Sequence, residues 1–157
     1  MFTAINLKKL FVSVLIVVLI GAISIIIANT SFGMWNEITT PESAAPLGVL
    51  TGMWFTLFAL LGIALYFVKS STDKNKSGVI KRFWLQLLFM CVWPILFFNL
   101  QLFGFAAIWM LITVVLCCVA MKGVKRINKG SMCLMIPYLL FGLYLLYINY
   151  GVFMLNR

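Results

Sequence analysis

Histidine is absent from this chain, and acidic residues number three in 157. Without imidazole the chain lacks the usual general base at neutral pH and the usual axial ligand for haem iron. Cysteine is present but unpatterned. Cys91, Cys117, Cys118 and Cys133 form no C-x-x-C spacing. Neighbours at 117 and 118 would point about 100° apart on a helix and could not readily bridge. They read as small buried apolar residues rather than metal or redox groups. Charge is scarce as well: 10% of residues, against 64% hydrophobic, with mean hydropathy +1.13. A soluble domain covers itself with about a quarter charged residues. The surface of this chain must therefore face lipid.

What is present is long apolar runs. A helix needs roughly 20 apolar residues to cross about 30 Å of hydrocarbon. Five stretches qualify and contain no Asp, Glu, Lys or Arg: residues 10–28, 47–68, 83–100, 104–121 and 132–153. Backbone polar groups in lipid must pair internally, and nothing alternates as barrel strands do, so the spans are helices. The expected fold class is all-α, a five-transmembrane-helix bundle forming one domain over 1–157. The first run is long for a signal-peptide core, and Ala28-Asn29-Thr30-Ser31 is a poor cleavage site, so it is expected to stay as a helix.

The basic residues fall on alternate connections. Lys8 and Lys9 precede the first span; Lys69, Lys74, Lys76, Lys81 and Arg82 lie between the second and third; Lys122, Lys125, Arg126 and Lys129 lie between the fourth and fifth. Of the 12 basic residues only Arg157 lies on the other side, with Glu37 and Glu42. This asymmetry places the N-terminus in the cytoplasm and the C-terminus outside. It accounts for the net charge of +9 by topology and attraction to anionic headgroups. Nucleic acid is not an expected partner. A bacterial inner membrane is the expected location.

Pumps, ion-coupled carriers and voltage sensors keep ionisable groups inside the bilayer, and these spans have none. They carry aromatic rings instead. Trp54 and Phe58, and again Trp93 and Phe97, stand four apart and share a helical face. Pro94 is expected to kink the third helix near its middle. The fifth helix carries Tyr138, Phe141, Tyr144, Tyr147 and Asn149. Such rings serve either as lipid-facing anchors or as the walls of a cavity for a flat apolar ligand.

The order of these residues resembles the TspO/translocator protein family, also called tryptophan-rich sensory proteins or peripheral-type benzodiazepine receptor homologues. Trp54-Phe55-Thr56-Leu57-Phe58 with Gly62 looks like W-x-T-L-Y-x-x-M-G. Gln86-Leu87, Trp93-Pro94 and Phe97-Phe98 look like Q-L-x-L-N-x-x-W-x-P-x-F-F. Pro137-Tyr138-Leu139, then Asn149-Tyr150 and Leu155-Asn156, look like P-Y-L-x-W and the later L-N-Y with its ending. The resemblance implies a five-helix bundle, a likeness to homodimers, and a pocket under the first long loop. It implies binding of porphyrin or haem-type molecules, or of other apolar molecules such as sterols, with no cofactor required. Trp54, Phe58, Trp93, Tyr138, Phe141 and Asn149 would line or cap that pocket. Phe105 would stand at its edge, and Trp35, Pro46, Gln86, Met90, Phe97 and Leu145 complete the candidate set.

This chain departs from the family pattern in its first loop and at three pocket positions. In place of W-x-P-P-x-W it reads Ser43-Ala44-Ala45-Pro46-Leu47-Gly48. Met90 replaces an Asn, Phe141 a Trp, and Leu145 a small residue. These changes remove a hydrogen bond, a stacking ring and some volume. The expected function is a membrane receptor or transporter-like protein for tetrapyrroles, serving their handling or stress sensing. It is not expected to be an enzyme; light-dependent porphyrin breakdown is the catalytic version of the reading. The alternative is a non-catalytic membrane scaffold acting through protein and lipid contacts.

Overall fold

The computed structural model describes residues 5–157. Five helices long and apolar enough to cross a membrane follow one another. They are α1 (Leu7–Asn29), α2 (Leu47–Ser70), α3 (Lys76–Pro94), α4 (Phe103–Ile127) and α5 (Lys129–Leu155). A short 3-10 turn, Phe32–Asn36, lies in the first loop, and a π-helical turn, Ile95–Asn99, continues α3. Among the described residues there is no strand. The chain is an integral membrane protein with an all-α fold. Residues such as Phe11, Ile26, Leu88, Ile108 and Leu140 point outward around the bundle, where lipid rather than water receives them.

The helices follow one another around the bundle in the order α1–α2–α5–α4–α3, and α2 also touches α3 across it. With lipid outside, burying apolar area does not drive this packing; close backbone approach and interhelical hydrogen bonds do. Ser13 Oγ donates to the Gly62 carbonyl at 3.0 Å. A Cβ on Gly62 would lie 2.5 Å from Val14 Cα, so only glycine lets α1 and α2 meet there. Farther along, Ser24 Oγ donates to the Cys91 carbonyl, joining α1 to α3. Trp109 Nε1 donates to the Phe89 carbonyl at 2.8 Å, and the two rings stack 4.4 Å apart, joining α4 to α3.

All five helices reach beyond the apolar runs at one end or both, since lysine and arginine favour helix outside the membrane too. α3 begins at Lys76 rather than 83, and α4 continues through Lys122, Lys125 and Arg126 to Ile127. The connection between α4 and α5 shrinks to Asn128, whose side chain caps α5 by accepting from Ser131 N–H at 2.8 Å. Pro94 therefore falls near the end of α3, not its middle. Proline offers no N–H to the ladder, and the chain answers with a wider turn: Leu100 N–H reaches back five residues to the Ile95 carbonyl. Gln101, at φ 52°, then takes the left-handed conformation that turns the chain into α4.

The basic residues gather at one end of the ring, where Asn6 N–H donates to Tyr66 Oη at 2.9 Å and holds the start of α1 against α2. The first loop covers the other end.

Candidate functional site: an aromatic ring interior under a pinned loop

The ring interior is filled by large side chains. Trp54 and Phe58 stack at 4.9 Å with planes 20° apart, and Phe58 meets Tyr138 edge-on at 6.4 Å. On α3, Trp93 and Phe97 lie 5.2 Å apart. Two indoles are tied down by hydrogen bonds. Trp54 Nε1 donates to the Gly21 carbonyl at 3.3 Å, and Trp93 Nε1 donates to Asn149 Oδ1 at 2.8 Å. Asn149 in turn donates through Nδ2 to the Phe103 carbonyl at 2.8 Å, so one wholly buried amide links α3, α4 and α5.

Two voids remain. One, of about 20 Å³, lies between Trp54, Trp93, Phe141 and Leu145, with Phe32 and Phe98 closing it from the loop side. The other, about 10 Å³, lies between Met90, Tyr138, Thr113 and Cys117. Each is about the size that a single water needs. Among the described residues, the amide of Gln86, the hydroxyls of Ser131 and Tyr138 and the Oδ1 of Asn99 are buried without a partner. An unpartnered buried polar atom costs on the order of 1–3 kcal/mol, so these positions are where the core has unused hydrogen-bonding capacity.

The first loop is pinned as a lid. Asn156 accepts from Thr39 N–H at 2.9 Å and donates to the Thr39 carbonyl at 2.8 Å. Tyr144 Oη accepts from Ala45 N–H at 2.8 Å and donates to the Ser43 carbonyl at 3.0 Å. Pro41 seats against Gly151, where a Cβ would come within 2.5 Å of its ring. Asn99 Nδ2 donates to the Ile27 carbonyl at 3.1 Å and to Thr30 Oγ1 at 3.2 Å, fixing the loop's first residues. Trp35 is half-buried above Phe97 and Phe98, at 6.2 and 6.1 Å.

Of the sequence candidates, Trp54, Trp93, Phe141 and Leu145 come together around the first void, and Met90 and Tyr138 around the second. Phe58, Phe97 and Asn149 pack behind those rings, and Gln86 lies buried on α3. Pro46 is the exposed cap residue of α2. Phe105 is not at a pocket edge: it is 51% exposed on the outer face, 6.0 Å from Trp109. Phe32 and Phe98 were missed as lining residues. Phe32 stands three residues before Trp35 in the first loop, and that spacing was the available signal. Tyr144 and Asn156 were missed as lid anchors, because pairing across more than a hundred residues leaves no local pattern. No cluster of three or more His, Cys, Asp or Glu able to hold a metal occurs among the described residues.

Comparison with known proteins agrees with this architecture. Residues 12–155 match the TspO/MBR family. The chain belongs to that family. It is 32% identical over 155 residues to the "Tryptophan-rich protein TspO" of Archaeoglobus fulgidus, covering 96% of this chain and 99% of that one. It is 24% identical over 134 residues to the "Translocator protein" of Ovis aries, covering 83% of this chain and 79% of that one. Neither TspO/MBR relative is named as an enzyme. A chain of this family is a membrane translocator or sensor-like protein.

Proposed function

We propose that this TspO/MBR protein binds a flat apolar ligand of the porphyrin class inside its helix ring, without transforming it, in tetrapyrrole handling or stress sensing. One observation carries the reading: Trp54, Trp93 and Phe141, from three different helices, converge on one cavity directly beneath a loop held by hydrogen bonds. Aromatic walls favour a planar π-ligand by offset stacking. The void of about 20 Å³ is far below the roughly 300–1,000 Å³ of drug-sized pockets, so binding requires the lid to lift and these rings to part. The basic end faces the cytoplasm in this reading, and the protein works as a homodimer. Labelling Ser77→Cys and Glu42→Cys variants from opposite sides of sealed membranes checks the orientation.

The test of binding is tryptophan fluorescence titrated with protoporphyrin IX. Saturable quenching, weakened about tenfold when the Phe141 ring is removed in Phe141→Ala, is expected. Non-saturating curves identical in wild type and variant would overturn the reading. They would favour the second one, a scaffold acting through protein and lipid contacts. The nearly filled core supports that second reading, which expects stable co-purification with another membrane protein.

A further inference from the structure

A groove far roomier than either aromatic void lies away from the interior. It lies along α1 and α2 from the contact of Ser13 with Gly62 to the basic end, and measures about 530 Å³. Lys8 and Lys9 stand on its α1 side and Lys69 on its α2 side. Val12 and Ile16 form an apolar flank, and Tyr66 lies at its floor. Val12 and Ile16 are 44% and 40% exposed, so this flank continues onto the lipid-facing surface of α1. Among the described residues no carboxylate lines the groove. Asp73, in the adjoining turn, accepts from Asn75 N–H at 2.7 Å instead. The end of α2 does not need the Lys69 ammonium, because Lys76 Nζ donates to the Lys69 and Ser71 carbonyls at 3.2 and 2.7 Å. The Lys69 ammonium itself rests 5.6 Å from the centre of the Trp84 ring.

We infer that this groove is a seat for one anionic phospholipid of the membrane. Its phosphate lies among Lys8, Lys9 and Lys69, and an acyl chain runs along Val12 and Ile16. The chemistry of the groove selects this occupant. Three cations without a matching acid call for an anion, and an apolar flank open to the bilayer calls for a chain on that anion. A sterol supplies the chain without the charge, and a free phosphate supplies the charge without the chain. Juxtamembrane lysines attract anionic headgroups diffusely in any membrane protein; here the two helices add a walled site. Bound there, the lipid bridges the start of α1 and the end of α2, which otherwise meet here through Asn6 and Tyr66. The inference rests on membrane insertion alone and is independent of what the aromatic interior binds.

The experiment is native mass spectrometry of the full chain, reconstituted with phosphatidylcholine and titrated with phosphatidylglycerol. The variant Lys8→Gln/Lys9→Gln/Lys69→Gln is compared with Lys122→Gln/Lys125→Gln/Arg126→Gln, which removes the same charge from the same end of the bundle. All six side chains are exposed, so both variants are expected to keep the wild-type helical signal and melting temperature in phosphatidylcholine. The expected result is one retained phosphatidylglycerol per wild-type chain. Retention falls roughly a hundredfold with the three groove lysines removed and stays unchanged in the control. Equal losses in both variants would mean diffuse attraction and overturn the site. Equal retention of phosphatidylcholine would remove the headgroup's role. Displacement of the lipid by millimolar inorganic phosphate or glycerol phosphate would make this a soluble-anion site and overturn the lipid assignment.

Discussion

The bond between Trp93 and Asn149 is where the interior is most exposed to a single test. Trp93 is 6% exposed and Asn149 wholly buried, with 2.8 Å between indole nitrogen and amide oxygen. In Asn149→Leu the side chain keeps similar bulk but cannot accept, leaving the Trp93 N–H without a partner. The Phe103 carbonyl suffers less, since at the first turn of α4 it also serves the helix ladder. Orphaning one buried donor costs about 1–3 kcal/mol. Trp93→Phe removes the donor and some volume at comparable cost. Once either partner is gone the other has nothing left to lose, so the double variant should fall short of the sum. Interhelical hydrogen bonds in membranes couple by about 0.6 kcal/mol on average and up to about 1.7. A coupling in that range is expected here. The assay is reversible unfolding in mixed micelles, followed by helicity, on wild type, both single variants and the double. Additivity within about 0.3 kcal/mol, as for independent sites, would refute the bond and the linkage of α3 to α5 built on it.

Three further outcomes follow from the same geometry. Asn156→Ala combined with Tyr144→Phe cuts the lid's main ties, so amide exchange at residues 39–46 should accelerate about tenfold or more while the spanning helices keep their protection; unchanged loop exchange would show the lid is held otherwise. Gln86→Leu removes two unpartnered polar atoms from a fully buried site and should stabilise the ligand-free protein by about 1–2 kcal/mol; a loss of that size would mean the amide has a partner. Gly62→Ala forces α1 from α2 at a cost of about 1–3 kcal/mol, whereas Gly48→Ala, with nothing within 4 Å, should be neutral; equal effects in an unfolding series would refute the close contact.

The membrane class, the five helices and their order were legible because they rest on long-range composition: apolar runs of spanning length separated by basic turns. Helix ends were not, because the lysines and arginines of 76–82 and 122–126 tolerate helix well while their charge made these segments look like loops. Trp54 and Trp93 were legible as cavity residues through their spacing and family resemblance, and the structure brings both to one void with Phe141. Phe105 was misplaced because its neighbours in sequence say nothing of which face α4 turns inward. Ala106 and Met110 bury that face, and one position off it a ring meets lipid. The filled interior was the least readable property. It depends on how Phe58, Met90, Met110 and Tyr138 from four helices share one volume, and no local pattern encodes that.

The two sets of hydrogen bonds that close this site differ in their surroundings, and the difference assigns the moving part. Those of Asn156, Tyr144 and Asn99 sit at the loop end of the bundle, where Asn156 itself is exposed and water can replace a broken partner. Such a bond contributes only about 0.5–1.5 kcal/mol net, and exchange with water recovers part of the loss. The bond of Trp93 to Asn149 lies at a depth where no water waits, so opening it leaves a bare donor. Lifting the lid thus costs a few kcal/mol, within the range of minor states populated at roughly 0.1–10%, while parting α3 from α5 costs more. In the proposed reading a ligand enters by the loop end. Its binding must supply the separation of Trp54, Trp93 and Phe141 from its own stacking energy, and flat π-systems are the chemistry able to return that cost to an aromatic wall. A flexible aliphatic ligand of equal area gains no stacking term and should bind more weakly, which makes shape and aromaticity, rather than hydrophobicity alone, the expected basis of selection.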